Sequence, residues 1–224
     1  MTKPLKLYGH VQGPNPWKVA IILEELGVPY HQEFLDFSVL KQEPFISANP
    51  NGRLPALEDP NTSITLFESG AIIDYLLDTY DPNHTLRPTS PPTTKYLQIS
   101  WRDFQMSGQG PYFGQKAWFT HFHSDLHMTS AIERYSNEIR RILGVIDAHL
   151  KKTNQPYLVG KQVSYADLMF VPWNSMLGFL MGEEFVEEGW KREFPVCWEW
   201  HRRLVERPAV KKVLEEKAVK MAGK

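Results

Sequence analysis

Cysteine is almost absent from this chain: Cys197 is the only one in 224 residues. That excludes an internal disulfide and any CxxC redox pair, and it fits a reducing compartment. Thiol chemistry, if the protein performs any, needs a sulfur from outside. Long apolar runs are missing too, so a membrane-spanning helix is not expected. Met1-Thr2-Lys3-Pro4 leads straight into a strand pattern without a signal-peptide core, which reads as a cytoplasmic protein. Neither sign of charge dominates. The formal net charge of -1 gives no reason to expect nucleic acid or an anionic membrane as partner. The run His121-Phe122-His123-Ser124-Asp125-Leu126-His127 has no spacing typical of metal ligands and reads as a polar interhelical loop, so no metal is expected. Internal repeats are absent as well. With 42% hydrophobic and 23% charged residues the chain is neither disordered nor fibrous, and its length suits two modest domains.

What is present centres on Asn49-Pro50-Asn51-Gly52-Arg53-Leu54-Pro55-Ala56-Leu57, followed by Glu68-Ser69. A turn signal runs into Leu-Pro and then into apolar residues, which places Pro55 at a turn-to-strand junction where a cis bond is tolerated. Leu54 is left with a backbone edge to which a peptide-like ligand can hydrogen-bond. Glu68-Ser69 closes a second strand and opens a helix whose N-terminus can receive an anion. The two elements together read as a device for holding a small peptide.

In chain order, Leu5 to Tyr8 alternates as a short strand. Asn15-Pro16 reads as an N-cap followed by proline, opening a helix marked by Val19, Ile22, Leu23 and Leu26 and closed by Gly27. Tyr30 to Phe34 is a second strand, and a short helix fits within residues 38–48. Strands at Ala56 to Glu58 and Ile64 to Phe67 follow, then a helix from Ser69 with Ile72, Ile73, Leu76, Leu77 and Tyr80 on one face. The order β-α-β-α-β-β-α over residues 1–82 matches a thioredoxin-like α/β domain. Prolines at 82, 88, 91 and 92 mark a linker, placed at 83–94. Strand signals then vanish. Helical spacing at Tyr96 to Met106, at Ile139 to Leu150 and after Pro208, with a capping-box start at Ser164-Tyr165-Ala166-Asp167, makes residues 95–224 all-helical.

This combination resembles a cytosolic glutathione transferase over essentially the whole chain. Gly13-Pro14-Asn15-Pro16-Trp17-Lys18-Val19 and Ser107-Gly108-Gln109-Gly110-Pro111-Tyr112-Phe113-Gly114-Gln115 narrow it to the fungal class named after the yeast nitrogen-regulation prion protein, close to the bacterial Nu class. The resemblance implies that glutathione is a co-substrate, with no separate cofactor. Its thiolate would attack an electrophile, a disulfide or a peroxide, in a detoxification or redox role; a non-catalytic glutathione-binding or regulatory protein is the alternative. By the same resemblance Leu54 and Pro55 meet the cysteinyl unit, Glu68 and Ser69 the γ-glutamyl end, and Lys41 and Arg53 the glycine end. Asn15 stands where other classes place Tyr or Ser. It reads either as the hydrogen-bond donor to the thiolate or as a plain helix cap. Tyr112, Phe113, Trp118 and Phe119 are the aromatic wall implied for the second substrate, facing the cleft between the halves. The family's usual state implies a homodimer. Cys197, among Trp198 and Trp200, reads as core.

Overall fold

The computed structural model describes residues 2–125 and 127–223; Leu126, inside the histidine-rich run, lies outside them. The chain forms two compact units. One runs to Arg87 and takes in the chain again from Glu206, and the other runs from Pro88 to Val205.

The first unit carries strands β1 (Leu5–Gly9), β2 (Tyr30–Phe34), β3 (Ala56–Asp59) and β4 (Ile64–Phe67), with helices α1 (Pro14–Leu26), α2 (Phe45–Ala48) and α3 (Ser69–Tyr80). The sheet order is β2-β1-β3-β4. β1 and β2 are parallel, with Leu5 opposite Tyr30, while β3 runs antiparallel to both β1 and β4. Strand alternation sorts the two faces. Leu5 and Leu7 are fully buried on the same side as Gly9, which packs against Pro16 of α1. Tyr8 points to the opposite face and joins Leu40, Phe45 of α2 and Ala56 in a separate apolar cluster.

Helix α1 ends as expected at Gly27, whose left-handed backbone (φ 65°) lets its N–H reach the Glu24 and Leu23 carbonyls. Its start is a correction. Gly13 is the N-cap and Pro14 opens the helix, so Asn15 is the second helical residue rather than the cap. Prolines at 14 and 16 both fit a first turn, where the N–H has no intrahelical partner anyway. The Trp17 Nε1–H donates to the Val11 carbonyl at 2.9 Å and draws the preceding loop onto the helix start.

All regular secondary structure among the described residues of the second unit is helical: α4 (Pro92–Phe104), α5 (Gly110–Ala117), α6 (Thr129–Thr153), α7 (Tyr165–Leu168), α8 (Val171–Asn174), α9 (Leu177–Met181), α10 (Trp190–Glu193) and α11 (Pro195–Val205). Widened π turns at Gln105–Gln109 and Trp118–Phe122 follow α4 and α5. Pro111 has no N–H to offer the carbonyl one turn back, and the first π turn lies just before it. Buried amides line that bend: Gln105 donates to Gln109 at 2.9 Å, and Gln109 to Asn174 at 2.8 Å. The capping box is present. Buried Asp167 accepts from the Ser164 N–H and hydroxyl, from the Leu158 N–H and from the Trp200 indole at 2.8–3.0 Å. Asp147 of α6 accepts from the Val196 and Cys197 N–H groups at the start of α11.

The last helix, α12 (Pro208–Ala222), belongs by packing to the first unit, whereas its place in the helical run predicts it with residues 95–224. Arg207 forms a bidentate pair with Glu25 at 2.6 and 2.7 Å, and Lys212 pairs with Glu24 at 2.7 Å. Apolar Val210 and Val213 are buried on the same side. No helix among the described residues is long and apolar enough to cross a membrane.

Candidate functional site

Sheet register gathers the first unit's candidates. Ala56 pairs with Phe67, so the residues just outside that pair, Leu54-Pro55 on one strand and Glu68-Ser69 on the other, leave the hairpin at the same end. Tyr8 pairs with Ala56, which brings the C-terminal end of β1, the loop 10–13 and the start of α1 to that end as well. Asn15, Leu54, Pro55, Glu68 and Ser69 therefore all lie at the same end of one sheet, although 54 positions separate the first from the last.

The turn before Leu54 is built by Asn49, which is buried. Its side chain accepts from the Asn51 N–H at 2.9 Å and donates to the Arg53 carbonyl, while its own carbonyl accepts from Gly52. Gly52 is required there. Its φ is 60°, and a Cβ would lie 3.0 Å from the Leu40 carbonyl and 3.2 Å from Cγ of Lys41. The same approach places the Lys41 stem beside the turn, with its ammonium end exposed; Arg53 is exposed too. The Leu54–Pro55 bond is cis. The Leu54 side chain packs on the Tyr8, Leu40 and Phe45 cluster, which fixes its backbone. Among the described residues no hydrogen bond engages that backbone, so its N–H and C=O are available to an extended ligand.

Glu68 sits at the turn into α3 with φ 67° and ψ 116°, a backbone position unusual for a residue with a side chain. Its carbonyl accepts from the Ile72 N–H, so it is the N-cap. Its side chain is exposed, while Ser69, the first helical residue, is buried. A carboxylate beside a helix N-terminus suits a ligand that bears an ammonium and a carboxylate together.

Tyr8, the tyrosine nearest in sequence, does not serve this end of the sheet. Its hydroxyl donates to Glu58 at 2.6 Å, and burial pushes its pKa up. Cys197 is fully buried, and burial holds its thiol well above the usual range. Loop 10–13 is set by His10, whose Nδ1 accepts from the Gln12 N–H and whose ring stacks on Phe37 at 3.9 Å.

In the second unit the four aromatic candidates separate. Tyr112 and Phe119 both face Tyr135 of α6, with ring centroids 6.3 and 5.7 Å away. Trp118 is half exposed beside His123. Phe113 is fully buried edge-on to Trp173 and presents no open face, so it supports its neighbours from the core. His121 stacks on Phe179 and its Nε2 meets the Phe179 carbonyl.

Asn49 and Lys18 lie within the sequence motifs without a role of their own there, and His10 lies outside them. A polar side chain's burial depends on partners distant in the chain, which spacing does not reveal. Lys18 alone left a visible signal, as the one charge inside the apolar face of α1.

Residues 3–78 match the family model of the glutathione S-transferase N-terminal domain, and residues 115–217 that of the glutathione S-transferase C-terminal domain. The chain is 49% identical to a glutathione S-transferase-like protein, OpS6, of Beauveria bassiana, over 96% of this chain and 97% of that one. It is 47% identical to the glutathione transferase URE2P6 of Phanerochaete chrysosporium, solved with oxidized glutathione, with a TM-score of 0.88 over 96% and 97% of the two chains. Ure2p5 of the same organism, cocrystallized with 1-(S-glutathionyl)-2,4-dinitrobenzene, is 35% identical with a TM-score of 0.87 over 99% and 98%.

Proposed function

The chain belongs to the glutathione S-transferase family, and from that premise we propose that it is an enzyme that binds glutathione at this end of the sheet in its first unit and delivers the thiolate to an electrophile. The observation that carries this is that the Leu54 backbone, Glu68-Ser69 and the start of α1 with Asn15 lie at one end of the same sheet. Leu54 and Pro55 hold the cysteinyl unit. Glu68 takes the γ-glutamyl ammonium and Ser69 its carboxylate, with Lys41 and Arg53 at the glycine end. An amide is no general base. Asn15 acts instead by donating an N–H to the sulfur, which, with the N-terminus of α1, favours thiolate over thiol. The thiol proton goes to solvent. The sulfur then forms a bond to the electrophilic carbon as the leaving group departs with its electron pair. Relatives solved with oxidized glutathione and with a dinitrophenyl conjugate support both thiol exchange and conjugation as reactions to test.

For the second substrate, Tyr112, Trp118 and Phe119 supply the aromatic wall and Phe113 stiffens it. Because Cys197 is buried, disulfide or peroxide reduction proceeds through glutathione sulfur alone. We read glutathione as co-substrate rather than cofactor, with no metal, in a detoxification or redox role. Functionally we divide the chain into a glutathione domain at 1–82, a linker at 83–94 and an electrophile domain at 95–224. A cytoplasmic homodimer completes the reading, its mass to be checked by analytical ultracentrifugation. The enzymatic test is direct: purified protein should bind a glutathione resin and turn over chloro-dinitrobenzene, a peroxide or a mixed disulfide. Retention on the resin with no turnover of any of the three would make it a binding protein instead.

A further inference from the structure

Lys18 is the one charged side chain in the buried stretch of α1, 2% exposed among Trp17, Val19, Ile21 and Ile22, all fully buried. An ammonium is costly to bury unless a charge of opposite sign answers it. Lys18 lies one helical turn beyond Asn15 and on the same side of the helix, and α1 packs against α3. Lys18 has an interaction of its own, and the Glu68 carboxylate at the start of α3 acts on its charge electrostatically. Burial draws the Lys18 pKa down to about 7, and Glu68 opposes that fall. Several charged groups on the surrounding elements have partners of their own. Glu24 and Glu25 pair with Lys212 and Arg207 of α12, Asp78 of α3 pairs with Arg87, and Lys6 of β1 pairs with Glu33. Asp74 of α3 also has an interaction, and Lys220 of α12 lies over the Phe34 ring. Buried Lys217, also on α12, has its pKa lowered by desolvation, with no charge from Lys18 contributing.

The start of α3 thus has a negative charge outside, on exposed Glu68, and a positive charge in the protein interior, on Lys18, with Ser69 buried next in the chain. An amino-acid terminus carries an ammonium and a carboxylate on one carbon, and neighbouring charges of opposite sign are its complement. We propose that Lys18 is a positioning residue for glutathione: its buried ammonium supplies the positive field that holds the γ-glutamyl carboxylate at Ser69, while Glu68 takes the ammonium of the same carbon. This rests on the assignment of Glu68 and Ser69 to the γ-glutamyl end. Lys18 and Ser69 are both 2% exposed, so the field between them runs through protein and is less screened than it would be in water.

The consequence is a proton linkage. A bound carboxylate strengthens the hold of Lys18 on its proton, so the complex binds more protons than the free protein near neutral pH. Affinity is then full below the free value of about 7 and is lost as pH rises through it. The test is calorimetric titration of the full chain with S-methylglutathione, which has no thiol to titrate, at pH 6 and pH 8 in two buffers of different ionisation heat. Wild type should take up protons on binding and lose about 3- to 10-fold in affinity between the two values. Lys18→Met should bind more weakly at pH 6 by a similar factor, with a flat profile. Lys18→Arg, charged throughout, should keep wild-type affinity at pH 6 and retain it at pH 8. A flat wild-type profile, or a Lys18→Met protein with wild-type pH dependence, overturns the inference. If circular dichroism shows Lys18→Met unfolded, the wild-type and Lys18→Arg profiles decide: an Arg variant that still weakens towards pH 8 overturns it. Glu68→Gln separates the levels. Undiminished affinity there would remove the γ-glutamyl assignment itself, whereas weakened affinity beside unchanged Lys18 variants removes the Lys18 role alone.

Discussion

An amide N–H beside a sulfur stabilises the thiolate and leaves the thiol nearly unaffected, so its removal moves the thiol pKa in one direction only. Asn15→Ala should raise the pKa of bound glutathione by about one unit, with conjugation at neutral pH falling roughly tenfold. Thiolate absorbance followed against pH reads the shift, and an unchanged titration would leave Asn15 without a part in thiol activation. A helix cap is not the fallback, because Gly13 fills that place. Cys197 makes the opposite point. Burial holds its thiol protonated, so a disulfide reagent should leave it unmodified in native protein and label one thiol per chain in denaturant. If the reacting sulfur is that of glutathione, as proposed, Cys197→Ser should turn over a mixed disulfide as the wild type does.

Between elements, single carboxylates do much of the fastening. Asp167 closes α7 onto α11 by accepting from the Leu158 and Ser164 N–H groups and the Trp200 indole, all buried. Asp167→Ala would strand those three donors. At about 1–3 kcal/mol for each unsatisfied group, partly relieved by relaxation, the expected loss is about 3–5 kcal/mol. A lowered urea midpoint with unchanged slope measures it. The fit of α12 on α1 rests in part on the Arg207–Glu25 pair. Arg207→Ala leaves Glu25, which is nine-tenths buried, without its bidentate partner, at a cost of about 2 kcal/mol by the same measurement.

At the scale of the whole molecule, acid should loosen the protein through its first unit. Burial pushes the Asp59 carboxyl up, but hydrogen bonds from Tyr75, Tyr80 and Asn61 outweigh it and hold the group below its usual range. Asp81 behaves alike under bonds from Leu86 and Thr85. Both values lie below the unfolded one of about 3.9, so their contribution is present above about pH 5 and is lost as pH falls through 4 and below. Melting temperature followed from pH 7 to pH 3 should drop over that interval. Replacement of both residues by Asn should lower it at pH 7 and flatten the acid limb.

Much of the molecule was legible because it is written in local patterns. Strand alternation gave the four strands to within a residue or so, and 3.6-residue spacing gave α1, α3 and α6. Gly27 and Ser164-Asp167 marked helix ends through chemistry that acts within one turn of chain. The start of α1 misled: Asn15-Pro16 carries the stronger cap signal, yet the helix opens earlier, at Pro14 with Gly13 as its cap. The amino-acid sequence by itself determined the two-part plan and singled out the residues proposed to bear the peptide-binding chemistry, because turn, cap and periodicity signals are short-range. Only the tertiary structure decided that Phe113 is core, that α12 packs on the first unit, and that Lys18 is buried at α1 within the field of Glu68. Burial and electrostatic pairing are properties of neighbours in space, and those neighbours lie tens of residues away along the chain.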